Sequence, residues 1–150
     1  MNKKDLLKRK GGIFPKGQIT LEDIITTMKQ DPNLSDAGTF TCFIGLTRRT
    51  SRNGKATEKL EIETFEEKAN ETLDIIAREI IQKKGIIDTR IYHATGTFDI
   101  GEELVFVVVA GSHRDEAFPA LREAVERYKK EAAIWKKEYL ATGEAYWTTE

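Results

Sequence analysis

The stretch "ELVFVVVAGSHRDEAF", residues 103–118, joins the most apolar run of the chain to the start of a helix. Every residue from 104 to 110 is apolar and valine is the commonest, which predicts a buried strand that ends at Gly111. The Ser112-x-x-Asp115 pattern that follows predicts a helix N-terminus. A buried strand that leads directly into a helix is therefore the centre of the predicted fold.

His113 and Arg114 fall in the first turn of this predicted helix. The helix dipole favours acidic rather than basic side chains there. The backbone N–H groups of a helix start can bind an anion, and Arg114 could add a bidentate contact to a phosphate or a carboxylate. Two other interpretations stay open: both side chains point into water, or His113 is a structural histidine.

Residues on either side of this unit predict further helices and strands. Apolar residues at helical spacing predict helices over residues 21–32 and 66–84, and from Ser112 to about 131. Alternating residues predict strands over 39–48, 58–65 and 86–93. We expect the first two of these strands to form a hairpin. Residues 1–12 are expected to form a flexible basic tail, with a nucleic-acid-binding arm as the alternative.

Length and composition bound the kind of protein. The chain has 150 residues, 33% of them charged and 39% hydrophobic, with a net charge of -1. These values are typical of one water-soluble globular domain and favour neither nucleic acid nor a membrane as a partner. The sequence has no signal-peptide pattern and no membrane-spanning apolar run, so we expect a cytoplasmic protein. The single cysteine, Cys42, is expected to be a buried small hydrophobe rather than a nucleophile.

Four lysines surround Trp135 in "YKKEAAIWKKE", residues 128–138. Ile134 and Trp135 must pack against protein, so some of these lysines lie beside apolar surface. A lysine that is partly desolvated near other cations has a lowered pKa, which suits it to proton transfer or covalent chemistry. On a continuous helix Lys129 and Lys136 would share one face. If the helix ends near 131, only tertiary folding can bring them together. An ordinary amphipathic surface is the alternative.

Four segments resemble one known family in their order and spacing. They are "FIGLTR" (43–48), "GSHRDEAF" (111–118), "YKKEAAIWKKE" (128–138) and "GEAYW" (143–147). Together they are similar to the large catalytic subunit of molybdopterin synthase, over about residues 13–147. The chain departs from the usual pattern of that family at Ala94, where an arginine is common, and at Ala133, where a proline is common.

The resemblance implies an enzyme that inserts two sulfurs into cyclic pyranopterin monophosphate and so makes the dithiolene of molybdopterin. The implied sulfur donor is a small ubiquitin-like carrier subunit, whose C-terminal Gly-Gly carries a thiocarboxylate and threads into a pocket. The implied fold is an α+β domain of the α/β-hammerhead type over residues 13–150. It forms a homodimer with one carrier subunit at each end, and neither a metal nor a cofactor is expected.

By the same resemblance, the catalytic lysine falls on Lys129 and the second lysine on Lys136. Substrate-binding positions fall on Leu46, Thr47, Arg48, His113, Arg114, Lys137 and Glu138. The phosphate and the thiocarboxylate are both anions, so we expect one cluster of cations to offset their repulsion. That cluster would comprise Arg48, His113, Arg114, Lys129 and Lys136.

Two alternative functions remain at this point. A non-catalytic binder of a ubiquitin-like Gly-Gly tail would keep the pocket and would not need Lys129. A module that binds a phosphate ligand or nucleic acid would bind anions with a steep salt dependence and would ignore the carrier.

Overall fold

The computed structural model describes residues 1–148 and has an α+β architecture, as predicted. The helices are α1 (Lys3–Lys8), α2 (Leu21–Lys29), α3 (Glu66–Ile81) and α4 (Arg114–Glu131), with a 3₁₀ turn over Pro32–Asp36. The strands are β1 (Gly11–Pro15), β2 (Thr39–Leu46), β3 (Thr57–Thr64), β4 (Ile86–Asp99), β5 (Glu103–Gly111), β6 (Ile134–Leu140) and β7 (Ala145–Thr148). No helix among residues 1–148 is both long and apolar enough to cross a membrane.

The seven strands form one mixed sheet in the antiparallel order β2-β5-β4-β3-β6-β7, and β1 pairs in parallel with β4. The predicted buried strand is confirmed, because every residue of β5 from Leu104 to Ala110 is at most 4% exposed. The long strand β4 runs beside β5, then beside β1, and finally beside β3. It therefore joins the two halves of the sheet.

Helix α3 confirms the helix that the spacing of apolar residues predicted over residues 66–84. Its buried residues lie on one stripe: Ala69, Leu73, Ile76, Ala77 and Ile80. This stripe packs on β1 and β4, and the neighbouring helix α4 packs on β5 and β2. The chain turns from α3 into β4 at Gly85, whose φ of 79° is a conformation that favours glycine.

The predicted hairpin between β2 and β3 is wrong. β2 pairs with β5, whereas β3 lies between β4 and β6. The turn residues at 52–55 close only the connecting loop, where the Ser51 N–H donates to the Lys55 carbonyl at 2.8 Å, Thr50 and Ala56 form an antiparallel bridge, and the Thr57 N–H donates to the Arg49 carbonyl at 2.8 Å. The apolar β5 buries more hydrophobic surface against β2 than the charged β3 could, so burial outweighs the local turn signal.

The prediction that Cys42 is buried is also wrong, because this residue is exposed. β2 is an edge strand, and the neighbouring Thr41 is the residue that is turned inward, at 7% exposure. Partial burial still raises the pKa of the Cys42 thiol, which disfavours the reactive thiolate.

The first twelve residues differ from the flexible tail that we expected. Leu6 is fully buried on α1, and β1 begins at Gly11. Lys10 Nζ lies 3.0 Å from Oδ1 of Asp88, and Arg90 donates to the Leu7 carbonyl at 2.8 Å. The basic residues that suggested a mobile tail are thus partly used to attach it to β4.

Helix α4 begins one residue later than the pattern predicted. His113 is its N-cap residue and makes no side-chain capping hydrogen bond. The side of the helix that faces the sheet is built mainly from small residues: Ala117, Ala120, Ala124 and Tyr128 are buried. Phe118 does not belong to this buried stripe and is 60% exposed.

Candidate functional site

Two adjoining cavities lie where the C-terminal end of α4 meets β4 and β6. Their volumes are about 420 Å³ and about 390 Å³. Four residues line both cavities: His93, Tyr128, Lys129 and Lys136. The two lysines that the sequence singled out are therefore brought to the junction between the two cavities.

The charged residues of the first cavity are mostly positive. Its lysines are joined by Arg48 and Arg52, and Glu138 is the only carboxylate among the residues that line it. Within residues 1–148 no three histidine, cysteine or acidic residues are grouped so that they could hold a metal ion. Four cations and one anion around one space suit a small anionic ligand.

The second cavity contains no arginine and no carboxylate among the residues that line it. Ala132, Ile134 and Trp135 line it, together with Lys130 and Thr148. Trp135 is 43% exposed and stands at the surface. A cavity in which apolar side chains lie beside lysines suits an extended chain with a negatively charged end.

Lys129 and Lys136 meet through tertiary folding rather than on one helix. Helix α4 ends at Glu131, and Lys136 lies on β6. Nζ of Lys129 is 5.9 Å from the centre of the Phe43 ring, which is within range of a cation–π contact. Of the two arrangements left open by the sequence, the structure has the second.

Strand alternation separates Lys137 from the other predicted residues of β6. Lys136 and Glu138 line the first cavity, whereas Lys137 lines neither. Its Nζ is instead 5.4 Å from the Tyr139 ring centre and 5.5 Å from that of Trp147, on the opposite face of the sheet. The expectation that Lys137 joins the substrate site does not match this position.

The segment Leu46, Thr47 and Arg48 lines the first cavity, as the resemblance implied. Thr47 holds it in place: its N–H donates to the Glu102 carbonyl at 2.9 Å, and its own carbonyl accepts from Gly101 N–H at 2.8 Å. Thr47 is only 3% exposed. The backbone that presents Arg48 is therefore fixed, while the arginine side chain is exposed.

His113 and Arg114 lie at the other end of α4 from Lys129. Neither lines either cavity, and both are exposed. Along a helix, the 15 positions between Arg114 and Lys129 correspond to about 22 Å. One chain therefore does not form the five-cation cluster that we expected, because a straight helix holds its two ends apart.

His93 and Tyr128 were not among the predicted site residues. His93 is 1% exposed, and its Nδ1 lies 2.8 Å from the Ala94 carbonyl oxygen, which can only accept, so Nδ1 carries the proton. The His93 ring meets the Tyr128 ring edge-on, with centres 5.8 Å apart. A single histidine in an apolar strand carries no sequence signal that separates this position from an ordinary core histidine.

Comparison with known proteins identifies the family. The model of the family described as MoaE protein matches residues 16–131. The molybdopterin synthase catalytic subunit of Bacillus subtilis is 38% identical over 131 residues, which cover 87% of this chain and 80% of that protein. A probable molybdopterin synthase of Haloferax volcanii is 34% identical over 130 residues, 86% of this chain and 49% of that protein. The chain thus spans about half the length of the Haloferax volcanii relative.

Solved structures agree with this result. Molybdopterin synthase from Staphylococcus aureus superposes with a TM-score of 0.79 at 31% identity, over 93% of this chain and 96% of that one. The complex of subunits 1 and 2 of molybdopterin-converting factor from Helicobacter pylori has a TM-score of 0.71 at 18% identity, over 93% and 90%. That second likeness concerns the fold alone. The family match and the relatives together establish that this chain belongs to the MoaE family.

Proposed function

We propose that this protein is the catalytic subunit of molybdopterin synthase. It would transfer sulfur from the C-terminal thiocarboxylate of a small ubiquitin-like carrier to cyclic pyranopterin monophosphate. The observation that carries this proposal is the presence of Lys129 and Lys136 in the walls of both cavities. A transfer between two anionic reactants needs cations at the point where their two binding spaces meet. We expect the reaction to occur in the cytoplasm.

The two cavities suit the two reactants in different ways. The first, with Arg48 and Arg52, would take the phosphate-bearing pterin. The second, which has apolar side chains beside its lysines and no arginine, would take the extended Gly-Gly tail of the carrier and direct its thiocarboxylate towards Lys129 and Lys136. Glycines suit such a channel because they add no side chain to its width.

The lysines would act on the leaving oxygen and on the developing charge. The thiocarboxylate sulfur attacks a pterin carbon, a C–S bond forms, and the C–O bond breaks. A lysine ammonium gives its proton to the departing oxygen, which leaves as water or as a hydroxyl group. Water then hydrolyses the acyl–sulfur bond, which leaves sulfur on the pterin and returns the carrier with an ordinary carboxylate.

A second copy of the chain would supply His113 and Arg114. β2 is an edge strand whose sequence, "TFTCFIGL", contains no charged residue to discourage pairing with another strand. Two copies that pair antiparallel through β2 would place Thr39 of one beside Leu46 of the other. Thr39 pairs with Gly111, so the second copy's His113 and Arg114 would approach the mouth of the first cavity. In this arrangement the homodimer would have a shared site.

The decisive experiment mixes this protein with a thiocarboxylated carrier and cyclic pyranopterin monophosphate. Mass spectrometry should detect a product that has gained two sulfurs. A carrier that lacks its last two glycines is the control and should give no product. Binding of the carrier without any product would favour the non-catalytic tail binder, and phosphate binding without carrier binding would favour a phosphate-ligand module.

A further inference from the structure

The turn between β4 and β5 holds the segment that presents Arg48. Both backbone groups of Thr47 are bound to this turn: its N–H donates to the Glu102 carbonyl at 2.9 Å, and its carbonyl accepts from the Gly101 N–H at 2.8 Å. The Thr47 hydroxyl donates to the same Glu102 carbonyl at 3.1 Å. Arg48 follows directly in the chain, so the position of its backbone depends on the shape of the turn.

The side chain of Glu102 closes this turn. Its Oε1 accepts from the Asp99 N–H at 2.7 Å, while the Glu102 N–H donates to the Asp99 carbonyl at 3.1 Å. The first and last residues of the turn are thus joined by two reciprocal hydrogen bonds. Gly101, with a φ of 90°, supplies the left-handed conformation that such a turn requires. A turn closed in this way has little freedom to change its shape.

Lys16 binds the same carboxylate from the end of β1. Its Nζ lies 2.7 Å from Glu102 Oε1, and it also donates to the Thr97 carbonyl at 3.0 Å. The hydrogen bonds from Lys16 and from the Asp99 N–H lower the pKa of Glu102, so its carboxylate is charged at neutral pH. Lys16 therefore ties the turn to β1.

Glu102 acts on the candidate site from outside it. Glu102 lines neither cavity, whereas Thr47 and Arg48 line the first. On the other side of Arg48, the Arg49 carbonyl accepts from the Thr57 N–H at 2.8 Å. The backbone of Arg48 is therefore held between two fixed points, the β4–β5 turn and the start of β3.

We propose that Glu102 is a positioning residue for Arg48, and that it acts through the β4–β5 turn and Thr47. Its carboxylate would keep the turn in the shape that presents the arginine to the first cavity. This inference rests on the proposed function, because it takes Arg48 to be a ligand of the pterin phosphate. A negative charge does not bind a phosphate, so the role assigned to Glu102 is geometric.

The sign of the effect on affinity separates geometry from charge. If Glu102 acted only through its charge, its removal would improve the binding of an anion. For Glu102→Ala we instead expect the KM for cyclic pyranopterin monophosphate to rise about three- to tenfold, with kcat changed less than about twofold. Glu123→Ala is the matched control, because Glu123 is also paired with a lysine, Lys83 at 3.1 Å, and lines neither cavity. This variant should match the wild type in both values.

Glu102→Gln tests which property of the carboxylate matters. The amide keeps an oxygen that can accept from the Asp99 N–H, although it loses the charge that pairs with Lys16. Its KM should therefore stay within about twofold of the wild-type value, because an exposed ion pair contributes little. This rescue separates a positioning role from a general loss of structure.

Amide hydrogen exchange provides a readout that does not depend on turnover. The Thr47 amide donates into the turn, so its exchange should become faster in Glu102→Ala. Exchange at Thr47 should keep the wild-type rate in Glu102→Gln and in Glu123→Ala.

Two results would overturn the positioning role: wild-type exchange at Thr47 in Glu102→Ala, or a KM in this variant that is equal to or below that of the wild type. If the wild-type protein makes no sulfurated product, the proposed function fails instead. Exchange at Thr47 would then still decide whether Glu102 holds the segment.

Discussion

Arg114 and Lys129 lie at opposite ends of the same helix, with Arg114 at the first position of α4 and Lys129 in its last turn. The helix separates them by about 22 Å, which no single small substrate can bridge within one chain. If both residues act on one substrate, they must come from two copies of the protein. The N-terminus of α4 would then belong to one site of the dimer and its C-terminus to the other.

Mixed dimers test this arrangement. Lys129→Ala and Arg114→Ala should each lose most activity as pure homodimers. After subunit exchange, half of the dimers contain one copy of each variant, and one site in each mixed dimer is intact, so about a quarter of wild-type turnover should return. Turnover is measured before and after exchange. No recovery, despite exchange confirmed by native mass spectrometry, would place both residues in the same chain's site or leave Arg114 outside it.

The neighbouring lysines of β6 should behave differently on substitution. Lys136→Ala should lower kcat about 10²- to 10⁴-fold, because it removes a cation at the junction of the two cavities. Lys137→Ala should keep kcat/KM within about twofold, because this residue lies on the opposite face of the strand. Steady-state kinetics on the two variants measures the contrast. Similar losses in both would contradict the assignment of faces.

Lys129→Ala should abolish turnover while carrier binding and the fold remain. We expect a loss about as large as for Lys136→Ala, since a group that acts in the transition state affects rate more than affinity. Isothermal titration with the carrier measures binding, and mass spectrometry of the pterin measures turnover. Near-normal turnover would favour a protein that only binds the carrier tail.

Replacement of His93 should cost more stability when the N–H donor at the position of Nδ1 is lost than when it is kept. His93→Leu leaves the buried Ala94 carbonyl without its side-chain donor and should destabilise the fold by about 1–3 kcal/mol. His93→Asn can place an amide N–H near the position of Nδ1 and should cost less. Urea denaturation of the two variants provides the comparison. An equal loss for both would mean that packing against Tyr128, rather than this hydrogen bond, sets the cost.

The attachment of the N-terminal segment should weaken in acid. Burial raises the pKa of Asp74, but hydrogen bonds from Arg78 and from the Lys10 N–H outweigh it and hold this pKa below its ordinary value. The contribution of Asp74 to stability is therefore complete above the pKa that this group has in the unfolded chain. It is lost as the pH falls through the lower pKa of the folded state, below about pH 4. The amide groups of residues 9–13 should lose protection from hydrogen exchange in that range. In Asp74→Asn the exchange should already be fast at neutral pH.

The sequence predicted the elements whose signal is local. The apolar run of β5 and the stripe of α3 that includes Leu73 and Ile76 both have a regular period, and burial against the sheet enforces it. Strand pairing was less predictable. The turn at 52–55 suggested that β2 pairs with β3, yet the partner that buries most apolar surface, β5, lies about 60 residues further along the chain.

The candidate site was predicted residue by residue but not as a geometry. Lys129, Lys136 and Arg48 were named from the sequence, and they line the first cavity. Whether Lys137 lies on the same side as Lys136 depends on the secondary structure of residues 134–140. In a strand, alternation places these two side chains on opposite faces. The contact of Lys10 with Asp88 joins residues 78 positions apart, and no local pattern could reveal it.

The parallel strand β1 constrains the order in which the chain can be assembled. Gly11 pairs with Ile91, so the first strand has no backbone partner until about eighty further residues have left the ribosome. At roughly 5–20 residues per second, this apolar segment waits for several seconds during synthesis. Contacts between such distant parts of a chain also slow folding in solution. The N-terminal strand is therefore the strand that waits longest for its partner, although it is the first to be made.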